Sequence, residues 1–385
     1  MRIGINTLFL LPGKRAGTLT YVSSLVRALS QVDTENEYIL FTNFQNHDVF
    51  KTDTKNIRRH LCSYVPENSK WRVVYEQMIL PSYVKRFGLD VLHAPGDVPP
   101  IMAKCAKVVT LHDMQYTAWY ANYPEYASKA KLLYVKYLYP LGARKSDVVI
   151  TVSENSKKDI VKYLGIAENK VRVVYEASRF SLGTNHIEPD LSIFEKHRIT
   201  KDYILSVASL LPHKNLNRLI ESYALLMNNI EHQIVLTGMN LSGMNSIKEM
   251  VRKKNIDSDR VIFTGYISEA ELIALYKNAS LYVLPSLFEG FGLPLLEAMS
   301  LGCPVAASAR TSIPEVVGDA GVLFEPEDPK AMADAIYSVL FDVNLRDRLV
   351  DKGYKREKAF TWKKAARETL EAYSLAHERW KQNMS

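Results

Sequence analysis

The sequence predicts an α/β protein of two doubly wound domains facing a cleft. Short β-branched runs alternate with amphipathic helical stretches along most of the chain, the pattern of parallel sheets covered on both faces. That alternation is interrupted once, by a polar stretch with Gly and Pro at residues 176–202. The length, 385 residues, favours two cores over one.

In the first half, strands are expected at RIGINTLFL, EYILFTN, DVLHAP, KVVTLHD, DVVITVS and VRVVYEA. In the second half they are expected at YILSVASL, HQIVLTG, RVIFTGY, SLYVLPS, PVAAS and GVLFEP. TYVSSLVRALSQV, NLNRLIESYALLM and EAELIALYKNA carry apolar residues at helical spacing, and Ser268 with Glu271 forms a capping box before the last of these. The division that follows is a first domain at 1–180, a linker at 181–200 and a second domain at 201–362. The closing segment, 363–385, is a long helix with no strand after it, expected to pack back on the first domain.

Composition is that of a globular protein, with 47% hydrophobic and 24% charged residues. No apolar run reaches the ~18–20 residues that span a bilayer. The opening MRIGINTLFLLPGKRAG reads as a first strand and a turn, not a signal peptide. Cys62, Cys105 and Cys303 are scattered without metal spacing, which fits a reducing cytoplasm. A net charge of +7 suits an anionic ligand or surface. No nucleic-acid-binding module is present, so nucleic acid is not an expected partner. SKWRVVYEQMILPSYVKRF and KAKLLYVKYLYPLGARK are basic and aromatic at helical spacing. They read either as an anionic-membrane docking face or as core packing with snorkelling lysines.

Ligands of open α/β sheets bind beyond the carboxyl ends of the strands, and the candidate residues follow predicted strands. Gly13 and Gly17 flank basic residues where a helix begins, either an anion site or a plain turn. His112 and Asp113 follow the fourth strand, suited to a sugar hydroxyl or to tying down a loop. No second histidine at ligand spacing supports a metal. Lys214 opens a helix in LPHKNLNRLI, where its charge adds to the helix dipole and suits a diphosphate; a solvated lysine is the alternative. In LFEGFGLPLLEAM, Gly290 and Gly292 free backbone N–H groups, Pro294 sits in a first helical turn, and Glu289 and Glu297 offer carboxylate acceptors for sugar hydroxyls. Read alone, two glutamates eight apart also fit a helix-start residue and an exposed helical one, or a hydrolase pair.

Taken together, PSLFEGFGLPLLEAMSLGCPVAAS, SVASLLPHKN, TVSENSKKDIVKYLG and IPEVVGDAGVLFEPED match, in order and spacing, the retaining glycosyltransferases of family 4, and the resemblance covers nearly the whole chain. It implies two Rossmann-like domains of the glycosyltransferase-B fold. It implies that Glu289 contacts donor-sugar hydroxyls and Glu297 the ribose, with the backbone of Gly290, Phe291, Gly292 and Leu293 near the sugar and diphosphate. Lys214 would neutralise the departing diphosphate, Gly17 would sit by the phosphates from the opposite domain, and His112 would contact the donor sugar near the reacting centre. Catalytic roles thus fall to His112, Lys214 and Glu289. No cofactor or metal is implied.

One departure stands out. The family often has arginine five positions before the lysine, where this chain has Ser209, and many relatives have arginine where it has His213. LLPHKN, the HD pair and WRVVYEQMILP resemble the subgroup acting in bacterial O-antigen and surface polysaccharide synthesis. That subgroup implies mannose from GDP-mannose and a lipid-linked glycan acceptor. It also implies a cytoplasmic protein, peripheral at the inner-membrane face. The alternatives are a UDP-sugar-dependent transferase, a sugar-nucleotide epimerase and a non-catalytic nucleotide-sugar-binding protein.

Overall fold

The computed structural model describes residues 1–11, 16–51, 54–63, 69–96, 98–114, 132–182, 187–238 and 243–384. Gly13 and the two basic residues after it lie outside the described residues, as does the start of the KAKLLYVKYLY segment. The chain forms two compact units: residues 1–176 with 362–385, and residues 177–361.

Unit 1 is built on a seven-stranded parallel sheet in the order β3-β2-β1-β4-β5-β6-β7. The strands are β1 (Arg2–Asn6), β2 (Glu37–Thr42), β3 (Ile57–Leu61), β4 (Val91–Pro95), β5 (Ala106–Thr110), β6 (Val148–Thr151) and β7 (Val171–Val173). Val- and Ala-rich β4, β5 and β6 are buried along their whole length, as a sheet covered on both faces requires. Strand β3 has no counterpart among the expected strands. Its IRRHL sequence lacks an apolar run because it is the sheet's edge, where charged side chains face water and discourage further pairing.

The helices of unit 1 include α1 (Ala16–Val32), α2 (Ser69–Met78), α3 (Leu80–Phe87), α4 (Tyr139–Lys145) and α5 (Glu154–Leu164). Ser153 caps α5 by accepting from the Ser156 N–H, and Gly165 ends it in the left-handed conformation. The aromatic segment over α2 and α3 is divided: Tyr75, Tyr83 and Phe87 pack on Leu80 and Val84, while Trp71 and Met78 are exposed.

Unit 2 holds a six-stranded parallel sheet in the order β10-β9-β8-β11-β12-β13. Its strands are β8 (Tyr203–Val207), β9 (Gln233–Thr237), β10 (Val261–Gly265), β11 (Leu281–Leu284), β12 (Val305–Ser308) and β13 (Val322–Phe324). Counted within each unit, the order is the same: third, second, first, fourth, fifth, sixth. In both sheets the direction of winding reverses between the first and fourth strands, and the crevice at that switch point is where such sheets bind ligands.

Around this sheet lie α6 (Ser192–His197), α7 (Leu216–Leu226), α8 (Met244–Lys253), α9 (Glu269–Asn278), α10 (Leu293–Ser300), α11 (Ile313–Val317), α12 (Pro329–Phe341) and α13 (Val343–Glu357). Leu219, Ile220 and Tyr223 of α7 and Ile336 and Val339 of α12 meet Ile204, Ile234 and Leu281 in one core. The capping box of Ser268 and Glu271 opens α9 with both of its hydrogen bonds made. Residues 181–200, read from the sequence as a linker, do not serve as one. The described residues among them carry α6, its Ile193 is fully buried, and they group with unit 2.

The last helix, α14 (Trp362–Met384), belongs to unit 1 and lies on α1 and β5. Trp362, Ala365, Ala366, Thr369, Ala372, Tyr373 and Ala376 form its buried stripe, and the small residues let the backbone approach closely. Among the described residues no helix is long and apolar enough to cross a membrane.

Candidate functional site

At the unit 2 switch point, the segments leaving β8 and β11 meet. The Leu287 N–H donates to the His213 carbonyl over 2.8 Å, and the Asn215 side-chain amide donates to the carbonyls of Pro285 and Pro326. Asn215 stands in the left-handed conformation between a short 3-10 turn, Pro212–Lys214, and α7. These bonds carry Lys214 to Glu289. The Lys214 Nζ donates to the Glu289 Oε1 over 2.7 Å, and the two side chains are 19% and 13% exposed. The Ser286 hydroxyl donates to the same oxygen over 2.6 Å. Among the described residues Oε2 accepts no hydrogen bond and is the oxygen left for a ligand. Burial pushes the Glu289 carboxyl up, but the Lys214 charge with the Lys214 and Ser286 hydrogen bonds brings it below the ordinary glutamate value.

The glycine turn is fixed from the opposite side. The Glu289 N–H donates to Thr311 Oγ1, and the Ser312 hydroxyl donates to the carbonyls of Glu289 and Phe291. Phe291 is buried, edge-on to Phe360 at 5.7 Å. Gly292 takes φ 104° as the N-cap of α10, a conformation side-chain-bearing residues avoid, and a Cβ there would lie 2.9 Å from Leu295. Leu293 and Pro294 then start the helix with Gly290 buried behind them. Ser209 lies half-buried just after β8.

His213 is buried beside Lys214. Burial first and then the Lys214 charge hold its imidazole at about 4, so it is neutral at pH 7 and adds no positive charge where relatives carry arginine.

Glu297 is 0% exposed, so the reading of it as an exposed helical residue fails. Its Oε1 accepts from Arg179 Nε over 2.6 Å and its Oε2 from the Tyr276 hydroxyl of α9 over 3.2 Å. Each oxygen thus already accepts one hydrogen bond from within the unit. The Glu297 charge raises the Arg179 guanidinium further above its ordinary value.

Unit 1 holds the other two candidates. Gly17 stands exposed in the first turn of α1. His112 follows β5, 22% exposed, with its Nδ1 3.1 Å from the Glu176 Oε1. The Tyr21 ring packs edge-on against the imidazole at 4.6 Å. The Ser156 hydroxyl donates to the His112 carbonyl over 3.1 Å, so the two serines of TVSENS divide the support between them: Ser153 caps α5 and Ser156 holds this loop. Beneath lies a buried chain of polar groups. His93 bonds Tyr373 OH through Nδ1 and Thr110 Oγ1 through Nε2, each over 2.8 Å, and Thr110 meets Tyr21 OH at 3.3 Å.

A lysine paired with a hydroxyl-braced carboxylate at the unit 2 switch point suits an anionic ligand that also carries hydroxyls. Comparison with known proteins decides the class. The profile described as glycosyl transferases group 1 matches residues 190–356, and that of glycosyltransferase family 4 matches residues 16–177. The chain belongs to the glycosyltransferases. This glycosyltransferase is 28% identical over 288 residues to O-antigen chain mannosyltransferase B of Escherichia coli, covering 74% of each chain. It is 28% identical over 235 residues to the serotype-specific mannosyltransferase WbdA of Escherichia coli, matching 60% of this chain but 29% of that one, under a third of that relative's length. Among solved structures, Anabaena HepE in complex with UDP and glucose matches with a TM-score of 0.73 at 18% identity, covering 97% of this chain and 99% of that one. That likeness shows the fold, the two Rossmann-like units of the glycosyltransferase-B class. A nucleotide-sugar donor and a glycan acceptor are the substrates that membership implies.

Sequence reasoning missed several residues that build the glycosyltransferase's site. Ser286, Thr311 and Ser312 brace Glu289, and the first two carry no signal beyond being small and polar. Arg179 and Glu176 fell in the stretch taken for a domain boundary, where charge looked like solvation. Burial, at 4% exposed, marks Glu176 as a structural partner, and its ion pair with buried Glu297 marks Arg179.

Proposed function

We propose that the protein transfers mannose, with retention, from GDP-mannose to a lipid-linked or polysaccharide acceptor in bacterial surface glycan synthesis. The observation that carries the reading is the Lys214–Glu289 pair at the unit 2 switch point. The mannosyltransferase relatives support the choice of sugar.

In this reading the bond from the sugar C1 to the diphosphate oxygen breaks as the acceptor oxygen bonds C1 on the same face. The acceptor's proton passes to the departing diphosphate. Negative charge grows on that diphosphate, and Lys214 with the N-terminus of α10 stabilises it. Glu289 accepts from sugar hydroxyls through Oε2, which orients the ring while positive charge develops on it. The leaving group takes the proton, so no separate base is required and no metal is invoked. His112 accepts from a sugar hydroxyl. Glu297 accepts from a ribose hydroxyl.

The test is a thermal-shift panel of the purified protein against GDP, UDP, ADP and their common sugar conjugates, in the presence of EDTA. A ligand at 100 times its dissociation constant adds ~2.7 kcal/mol to stability. Stabilisation by GDP and GDP-mannose alone supports the donor, and the anomeric configuration of the product then reports retention. HepE was solved with UDP and glucose. A response to UDP in place of GDP replaces the donor and keeps the class. Silence from every nucleotide overturns the donor site. Sedimentation with anionic vesicles checks membrane association, for which exposed Trp71 and Met78 are the nearest support.

A further inference from the structure

We propose that Glu176 is the positioning residue of His112, fixing its imidazole as the Nδ1–H tautomer and leaving Nε2 as the acceptor for a sugar hydroxyl. The proposal rests on the reading of His112 as a sugar contact and adds the group that makes it competent.

The ring is gripped from several directions, so little freedom remains except where its proton sits. Tyr21 packs edge-on against it and Ser156 ties its carbonyl. Gly96, at φ +111°, closes the edge bearing Cδ2 and Nε2: a Cβ there would lie 3.4 Å from each of those atoms. A side chain at this position would press on the nitrogen that the ligand needs.

The carboxylate of Glu176 decides the tautomer. It is buried, it can only accept, and its Oε1 is 3.1 Å from Nδ1. The N–H must therefore be on Nδ1, because the other tautomer would set two lone pairs against each other. Among the described residues, Nε2 is buried and has no hydrogen-bond partner. A buried ring nitrogen left unmatched is uncommon in a native protein and points to a ligand atom.

Two measurements test this on the whole chain. In protein labelled with 15N-histidine, the His112 ring nitrogens are identified by their loss in His112→Ala. The wild type is expected in the Nδ1–H form. Glu176→Ala should restore the commoner Nε2–H form, and Glu176→Gln, whose amide oxygen still accepts, should keep Nδ1–H. An Nε2–H ring in the wild type, or a ring unchanged in Glu176→Ala, overturns the proposal. Should Glu176→Ala fail to fold, Glu176→Met, close in volume and without an acceptor, is read in its place.

The second measurement is nucleoside diphosphate release from GDP-mannose, or from the UDP-sugar if the panel selects it. Glu176→Ala should lose about 100-fold, the scale of a misplaced reacting geometry, and Glu176→Gln should recover most of it. In the His112→Ala background, removing Glu176 should cost nothing more. Equal losses in both backgrounds would make Glu176 a structural residue and overturn the proposal. His112→Ala turning over at the wild-type rate would sink the sugar contact and the proposal with it. The ring spectra read the tautomer independently, so the two failures are told apart.

Discussion

In unit 2 the carboxylates at and behind the switch point are each matched to a cation, Glu289 to Lys214 and Glu297 to Arg179. Unit 1, with the same winding, sets its carboxylate, Glu176, on a histidine and backs it with neutral groups: Tyr21, Thr110, His93 and Tyr373 form one hydrogen-bonded chain. Burial, then nearby His112, holds the His93 imidazole at about 3, so it carries no charge at pH 7. Within each unit the winding order marks the crevice where such a sheet binds ligands. Matched charges suit a diphosphate whose charge changes during reaction. A neutral, buried polar chain suits rigid support of Tyr21 and of the His112 ring packed against it.

The largest effect should come from breaking the unit 2 pair at its acid. Glu289→Ala should lower transfer at least about 10³-fold, as loss of a preorganised transition-state contact does, while circular dichroism stays that of the wild type. Near-normal turnover would move the reacting centre away from this edge. Lys214→Ala should come next, with transfer down about 10²-fold and weaker nucleoside diphosphate binding by calorimetry. Unchanged affinity would mean that another cation does the work expected of it.

Glu297→Ala should act mainly on stability. It strands Arg179, and breaking such a pair costs about 3 kcal/mol in urea unfolding, the lower end for buried pairs because Arg179 is partly exposed. A loss confined to donor KM, with stability intact, would show that the pair is dispensable to the fold.

The smallest effects should distinguish the neutral chain. Tyr373→Phe removes one hydrogen bond to His93 and should cost about 1–3 kcal/mol, because Nδ1 is then left unmatched. The pH dependence has a definite sign. His93 takes up a proton near 3 when folded and near the ordinary ~6.5 when unfolded, so its contribution is complete above ~6.5 and is lost as pH falls toward 3. His213, held at about 4, acts in the same direction in unit 2. Glu289, held below the ordinary carboxyl value, adds its loss only below ~4.3. Urea unfolding at pH 7 and pH 5 should show a smaller drop for His93→Gln than for the wild type. An equal drop would place the pH sensitivity elsewhere.

Much of this was legible in the sequence because parallel strands buried on both faces leave apolar runs, and β4 to β6 and β8 to β12 announce themselves. Strand β3 did not, since Arg58, Arg59 and His60 read as a loop until the strand is seen at a sheet edge. The loop of Glu289 was legible through its glycines and Pro294. The residues that hold it were not, because Ser286 and Thr311 act through spatial nearness and leave no periodic trace. Glu176 is 64 positions from His112, and no local pattern joins a histidine to a carboxylate across such a span. The burial of Glu297 was illegible for the same reason: Arg179, 118 positions away, pairs with it.

The return of α14 to unit 1 has a consequence for how the protein is made. Residues 177–361 are translated between the two pieces of unit 1, so the pocket that receives Trp362 and Tyr373 stays uncovered while all of unit 2 leaves the ribosome. At ~5–20 residues per second that interval is on the order of ten to forty seconds. The second unit can be finished while the first, begun earlier, still shows α1 and β5 to the solvent and to any chaperone that binds apolar surface. A helix made after unit 2 thus closes a unit begun before it.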